Sequence, residues 1–159
     1  MAAQQPQSSI TQVLPENLKL KTSKLLLMFT HAHSAPTETI DGRDHIWHSK
    51  PGLTPTGDLL VVHCTIPPGG FHSFHTHPNK EEVIYIIEGE AEQWIAQEKQ
   101  TIGPGSSAYI PASEVHATFN RSDTDLKFIA VITPCSAEGE IHVAVDHLEP
   151  WKSIVAGMG

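Results

Sequence analysis

Cysteine, arginine and long apolar runs are all scarce in this chain of 159 residues. Two cysteines, Cys64 and Cys135, are too few for a disulfide framework, so free thiols are expected. No apolar run reaches the length of a membrane span, so no membrane partner is expected. The polar start MAAQQPQSSITQ lacks the order of a secretory signal, which makes the cytoplasm the expected compartment.

Positive charge is also sparse, because arginine occurs only as Arg43 and Arg121 and the formal net charge is -8. Nucleic acid is therefore not an expected partner, since binding its phosphates depends on clustered basic side chains. Phosphorylated substrates are disfavoured for a related reason, because they are usually held by forked guanidinium donors or a glycine-rich helix start. A small molecule without phosphate is the expected ligand.

Short strand-like segments fill the chain from Gly57 onward, and turns rich in Pro, Gly, Asn and Asp separate them. Their apolar content is β-branched, and no long helical pattern interrupts them. An all-β sandwich, jelly roll or small barrel is therefore expected. The eight predicted strand segments are DLLVVHCTI, FHSFHTH, EVIYIIE, AEQWIAQ, SAYIP, HATFN, LKFIAVI and IHVAV.

The same pattern divides the chain into four parts. Residues 1–17 are predicted to be a flexible leader, and residues 18–56 an N-terminal strand and arm that pack on the barrel or on a partner. Within that arm, LLLMF at 25–29 fits either a strand or a short helix. Residues 57–147 are the predicted barrel, and residues 148–159 a short C-terminal helix or tail.

Histidine is abundant, with 11 copies, and one pair stands next to acidic residues. On a strand, His75 and His77 point to the same face because side chains alternate. The turn Pro78-Asn79-Lys80 brings the next strand back antiparallel, so that an acidic residue lies beside the two imidazoles. His116 opens a later strand and is a candidate fourth donor.

The spacing around these residues resembles the two motifs of the cupin family. Gly69, His75, His77, Glu82 and Gly89 follow the first motif, G(x)5HxH(x)3-4E(x)6G. The second motif, G(x)5PxG(x)2H(x)3N, resembles the stretch from Gly105 to Asn120 that contains Pro111 and His116, with Ser113 where the pattern has glycine. The resemblance covers about residues 57 to 134, and fifteen residues separate the motifs, as in compact single-domain cupins.

The resemblance implies a double-stranded β-helix, also called a jelly-roll barrel, with one divalent metal ion. The implied ligands are His75, His77, Glu82 and His116, and the interval to Gly89 selects Glu82 rather than Glu81. Three neutral imidazoles and one carboxylate suit Fe, Mn, Ni, Co or Zn, and they leave a local charge of about +1 on the bound ion. That charge favours small chelating anions such as carboxylates, enolates or phenolates.

The cupin resemblance implies a metal-dependent enzyme acting on such a molecule, with oxygenase chemistry ahead of isomerase or decarboxylase chemistry. Non-catalytic binding or sensing is the alternative. No catalytic residue is assigned, because strand alternation turns Glu81 and Tyr85 away from the metal. The resemblance also implies a homodimer, since the apolar outer faces of a jelly roll need cover.

Other histidines have no matched carboxylate. His31, His33, His45 and His48 are expected at the surface or at an interface, and a second metal site is the alternative. His72 stands three residues before His75, so on an unbroken strand it faces away from the metal.

Overall fold

A computed structural model describes residues 29–55 and 57–157, which form two antiparallel β-sheets and one helix. The predicted leader and most of the LLLMF segment lie outside these residues. The described strands are β1 Thr37–Ile40, β2 Arg43–Ser49, β3 Leu60–Ile66, β4 Phe71–Thr76, β5 Glu81–Glu88, β6 Ala91–Ile95, β7 Glu98–Ile102, β8 Ser107–Ile110, β9 His116–Phe119, β10 Leu126–Thr133 and β11 Val143–Ala144. The helix α1 covers Trp151–Ala156.

The strands are arranged as two facing layers. The six-stranded sheet has the order β1-β2-β3-β10-β5-β8, and the five-stranded sheet has the order β11-β4-β9-β6-β7. Consecutive strands such as β4 and β5 lie in different sheets, so the chain winds back and forth between the layers. The predicted all-β, double-stranded β-helix fold is confirmed.

The core lies between the two sheets and follows the alternation of the strands. In β3 and β10, every second side chain is buried, including Leu60, Ile66, Leu126 and Phe128. Burying each such side chain contributes about 1.5–3 kcal/mol. The faces of β3, β5 and β10 that point inward therefore hold the layers together.

A second, smaller cluster covers the outer face of the five-stranded sheet. Phe74, Trp94 and Phe119 pack there, and Trp151 of α1 stacks on Phe74 at 5.2 Å between ring centroids. This position confirms the short C-terminal helix predicted from the sequence. In the described part of the chain, no helix has the length and apolar character that crossing a membrane requires.

The sequence does not predict three of the observed strands. Strands β1 and β2 lie within the predicted arm, and β7 lies between two predicted strands. The inward positions of β2 carry polar residues, Arg43 and His45, so the apolar alternation that marks a strand is absent. Strand β7 has mostly exposed side chains and pairs along its whole length with β6. Polar strands at a sheet edge or over a polar pocket have no periodic apolar signal.

Gly89 ends β5 where the chain must turn. Its φ is +78°, and a Cβ there would lie 2.5 Å from the backbone oxygen of Asp125. Only glycine tolerates both the left-handed backbone and this close approach. Gly89 therefore fixes where β5 ends beside the start of β10.

Candidate metal centre

The site forms where β4 ends and β5 begins. His75 lies in β4, and His77 is the first residue after that strand. A tight turn then leads into β5, and it is closed by the Lys80 N–H, which donates to the His77 carbonyl at 3.0 Å. Asn79 adopts a φ of +59° in that turn, a conformation that asparagine tolerates better than most residues. The turn brings Glu82 back beside the two histidines.

Four side chains converge at this point, those of His75, His77, Glu82 and His116. One ligand-type atom from each lies within 4.8 Å of all the others. All four residues are buried, with exposed fractions of 1%, 3%, 5% and 0% in that order. The histidines come from or directly follow strands of the five-stranded sheet, whereas Glu82 comes from the six-stranded sheet. The four residues form the His₃Glu cluster.

Backbone carbonyl groups orient all three imidazoles. Nδ1 of His75 lies 2.7 Å from the Ser73 oxygen, Nδ1 of His116 lies 3.1 Å from the Glu114 oxygen, and Nδ1 of His77 contacts the Ile141 oxygen. Because a carbonyl only accepts, each Nδ1 donates its proton. In a neutral imidazole, Nε2 then carries the lone pair that a metal ion needs.

The geometry around Glu82 fits a cation. Its Oε2 lies 2.7 Å from Nε2 of His116 and 3.2 Å from Nε2 of His77. Nε2 of His75 and Nε2 of His116 are buried and have no well-aligned hydrogen-bond partner among the described residues. Lone pairs of neutral imidazoles facing a carboxylate repel one another unless a positive charge lies between them. The donor set therefore fits one divalent transition-metal ion.

The charges of the cluster depend on one another. Burial alone would raise the pKa of Glu82, but the imidazoles of His116 and His77 outweigh it and hold that pKa well below its usual range. Burial alone would lower the pKa of His116, but the facing carboxylate of Glu82 raises it. Burial and the adjacent rings of His72 and His116 keep the pKa of His75 well below normal. Glu82 is thus a carboxylate in a site that attracts positive charge.

The structure brings together the four ligands named from the sequence, and their binding of a metal remains a prediction. The adjacent Glu81 points away, where its Oε1 accepts a hydrogen bond from the Tyr109 hydroxyl at 3.0 Å. Tyr85 is also turned outward and is 48% exposed.

His72 lies against the site, contrary to the expectation for an unbroken strand. The pairing of β4 with β9 shifts register between His72 and His75, so three residues on β4 span the distance of two on β9. This β-bulge brings His72 to the same side as His75, and their ring centroids are 3.8 Å apart. No motif spacing reveals a bulge.

His142 is a further neighbour that sequence reasoning missed. Its ring stacks on His72 at 5.2 Å and on His75 at 4.6 Å between centroids. Metal ions bind imidazole nitrogens in the plane of the ring, whereas these rings meet face to face. The stack lies against the His₃Glu cluster and shares His75 with it, and one ligand-type atom from each of His72, His75 and His142 lies within 4.8 Å of the other two.

The histidines of the N-terminal arm differ from one another. His31 and His33 are exposed, as expected, and stack on each other at 5.6 Å, and His48 is half-buried. The surface expectation is wrong for His45, which is 8% exposed. It lies on the inner face of β2, and its Nε2 is 3.8 Å from the Sγ atom of Cys64.

A pocket of about 300 Å³ opens beside the cluster. Leu60, Val62, Ala130, Ile132 and Ile141 form its apolar walls. Its polar lining is Asp41, Arg43, His45, Cys64, His72, His77, Glu82 and His142. A wider depression of about 610 Å³ lies along β7 and β8, away from the cluster. The smaller pocket is the functional candidate because it adjoins the His₃Glu cluster.

Two facing antiparallel sheets with strands that alternate between them define a double-stranded β-helix protein, and its inward His₃Glu cluster is a candidate metal site. Residues 62–132 match the Cupin domain family, so this chain carries a cupin domain. The match begins in β3 and ends in β10, and it contains all four residues of the cluster.

Individual relatives cover only part of the chain. An oxalate-binding protein from Thermotoga maritima is 32% identical over 73 residues, which are 46% of this chain and 60% of the relative. A germin-like protein of subfamily T from Arabidopsis thaliana is 30% identical over 87 residues, covering 52% of this chain and 38% of the relative. The matched region thus spans at most 60% of the length of these two curated relatives.

A solved structure shows the same fold. The crystal structure of a predicted oxalate decarboxylase from Thermotoga maritima superposes with a TM-score of 0.60 at 24% identity. The superposition covers 67% of this chain and 99% of that one.

Proposed function

We propose that this protein binds one divalent transition-metal ion through the His₃Glu cluster and acts on a small chelating carboxylate in the adjoining pocket. The observation that carries the proposal is the convergence of four buried donors whose Nε2 and carboxylate atoms face one another. A bound ion of this kind supplies Lewis-acid polarisation of a coordinated oxygen, and iron or manganese also supplies redox chemistry.

The protein's own residues prepare the site. The backbone oxygens of Ser73, Glu114 and Ile141 fix the three imidazoles, which lowers the reorganisation needed on binding. The apolar walls exclude water from the bound molecule and strengthen its electrostatic interactions. The name of the Thermotoga relative, an oxalate-binding protein, supports a carboxylate as the ligand class.

Oxygenase chemistry is the first reaction to test, and decarboxylation and isomerisation are the next. Non-catalytic binding is the second candidate, and one observation favours it. Among the residues that line the pocket, the carboxylates are Glu82, a proposed ligand, and Asp41, whose side chain is 84% exposed. The other acid–base groups near a bound molecule are thus the imidazoles of His45, His72 and His142.

Metal content tests the proposal directly. Protein purified without added metal, and then loaded with Fe, Mn, Ni, Co or Zn in turn, should hold about one ion per chain by elemental analysis. His116→Ala should lose at least about tenfold in affinity, because it removes one of four donors. His147→Ala is the matched control, since the His147 side chain is 68% exposed. Equal metal affinity in wild type and His116→Ala would refute the site.

Turnover is measured with the loaded protein. Oxygen uptake, carbon dioxide release and recovery of the unchanged compound separate oxygenase, decarboxylase and binding functions across a panel of diketones, phenols and carboxylic acids. Recovery of every compound unchanged, with measurable affinity, would replace the enzyme proposal with the binding function.

We also propose that a second copy of this chain is the protein partner. The outer face of β5 and β8 carries Val83, Tyr85, Ile87 and Tyr109, with exposed fractions of 38%, 48%, 44% and 55%. Neighbouring large apolar side chains on one sheet face are typical of an interface. A symmetric dimer would cover the same patch on both copies.

A further inference from the structure

Arg43 is a buried cation in the wall of the pocket. It is the first residue of β2, is 4% exposed, and lines the same pocket as His77 and Glu82. Its charge also contributes to lowering the pKa of His72 and His142, on which burial has the larger effect. Its guanidinium therefore lies near the histidine stack beside the His₃Glu cluster.

The hydrogen bonds of Arg43 are incomplete. Nε donates to the Ile40 oxygen at 3.3 Å, and Nη2 donates to Oδ2 of Asp41 at a long 3.4 Å. Nη1 is buried and has no acceptor among the described residues. A guanidinium has five donors, and an unsatisfied charged donor away from water is costly. An acceptor supplied by a ligand would remove that cost.

The two positive charges expected in the pocket, one at the metal centre and one on Arg43, match an anion with two acidic groups. With a divalent ion, the three neutral imidazoles and Glu82 carry about +1, and Arg43 adds one further positive charge. Asp41 offsets only part of it, because its side chain is 84% exposed and its contact with Arg43 is long. One carboxylate neutralises the metal centre and leaves Arg43 unmatched.

We propose that Arg43 binds the second carboxylate of a short dicarboxylate whose first carboxylate binds at the His₃Glu cluster. This inference rests on the proposed metal binding and narrows its ligand class. The volume of about 300 Å³ lies at the small end of ligand pockets, which suits a chain of a few carbons. The apolar walls contact that chain, and Arg43 is the specificity-determining residue.

Matched pairs of acids test the assignment. Binding to the metal-loaded protein is measured by calorimetry for malonate, succinate and glutarate, each compared with propionate, butyrate or pentanoate of the same length. Wild type should bind at least one dicarboxylate at least about tenfold more tightly than its monocarboxylate partner. Arg43→Met should bring that ratio below about threefold, and the variant should still hold about one metal ion per chain.

The outcomes separate the two proposals. Wild type that fails to hold metal refutes the proposed function, and this inference falls with it. Wild type that holds metal but has no dicarboxylate preference overturns the role of Arg43 alone. A preference that persists in Arg43→Met overturns it as well.

A second variant covers the case in which Arg43→Met does not fold. Asp41→Asn removes the competing carboxylate from an exposed position, and asparagine tolerates the φ of +49° there. It should raise dicarboxylate affinity about two- to threefold and leave monocarboxylate affinity unchanged. An unchanged ratio would contradict the assignment.

Discussion

Cys64 is a buried thiol whose ionisation is suppressed. It is 3% exposed on the inner face of β3, and burial raises the pKa of its thiol to about 12. The nearby Arg43 acts in the opposite direction, but it does not compensate. Cys64 therefore remains a neutral thiol at physiological pH and contributes to packing.

This shift predicts a loss of stability at alkaline pH. Between about pH 9 and 12, the unfolded chain releases the Cys64 proton while the folded chain keeps it, so stability falls as pH rises. The slope is about 1.4 kcal/mol per pH unit at most. Urea unfolding at pH 8.5, 9.5 and 10.5 should show a steeper decline for wild type than for Cys64→Ala.

Cys135→Ala provides the control for that measurement. Burial raises the pKa of Cys135 too, but it is only partly buried, so its removal should leave most of the alkaline slope. Parallel pH curves for wild type and Cys64→Ala would contradict the prediction.

Sequence spacing identified the residues that converge at the site because a strand and a tight turn have fixed geometry. His75, His77 and Glu82 lie within one strand-turn-strand unit, and alternation places their side chains. Arg43 has no such local signal, because it reaches the pocket through the pairing of β2 with β3. A lone arginine in a polar segment indicates nothing by itself.

At the scale of the elements, the turn before β9 is tied to the end of β4. Thr76 Oγ1 donates to the Ser113 oxygen at 2.8 Å, and the Asn79 N–H donates to Ser113 Oγ at 2.9 Å. Ser113 has a φ of +66°, the left-handed conformation for which the motif has glycine. The backbone of Ser113 is therefore strained, but its hydroxyl accepts a hydrogen bond that glycine could not form.

Substitutions at Ser113 separate these two effects. Ser113→Gly removes about 1 kcal/mol of backbone strain but loses a hydrogen bond of similar net value, so its stability should stay close to wild type. Ser113→Ala keeps the strain and loses the bond, and it should be about 1 kcal/mol less stable. Urea unfolding measures both. Equal stability of the alanine and glycine variants would show that strain is unimportant.

Buried Lys80 was not predicted from sequence, because lysine in a turn is usually solvated. It is 1% exposed, and its Nζ donates to the backbone oxygens of Pro78, Ala137 and Gly139 at 3.0–3.1 Å. These bonds fasten the segment after β10 against the turn before β5. That segment leads to Ile141, whose oxygen orients His77. The bulge in β4 was unpredictable for a similar reason, since non-local pairing produces it.

At the scale of the whole molecule, the apolar patch on β5 and β8 predicts a dimer. Light scattering after gel filtration should give twice the monomer mass. Tyr85→Glu places a charge in the middle of the patch, so it should shift the protein to monomer. Leu148→Glu changes an apolar residue that is 50% exposed outside the two sheets, and it should leave the dimer intact.

A dimer in Tyr85→Glu together with a monomer in Leu148→Glu would show that the interface lies away from the patch on β5 and β8. A wild-type monomer at tens of micromolar would remove the proposed partner altogether.

The His₃Glu cluster also has a mechanical consequence. His75 and His116 lie in strands of one sheet, and Glu82 lies in a strand of the other. An ion bound by all of these side chains would cross-link the two sheets at one end of the barrel. Separating the two sheets would then require the metal ion to dissociate first. A chelator would therefore lower the free energy of unfolding of the whole fold.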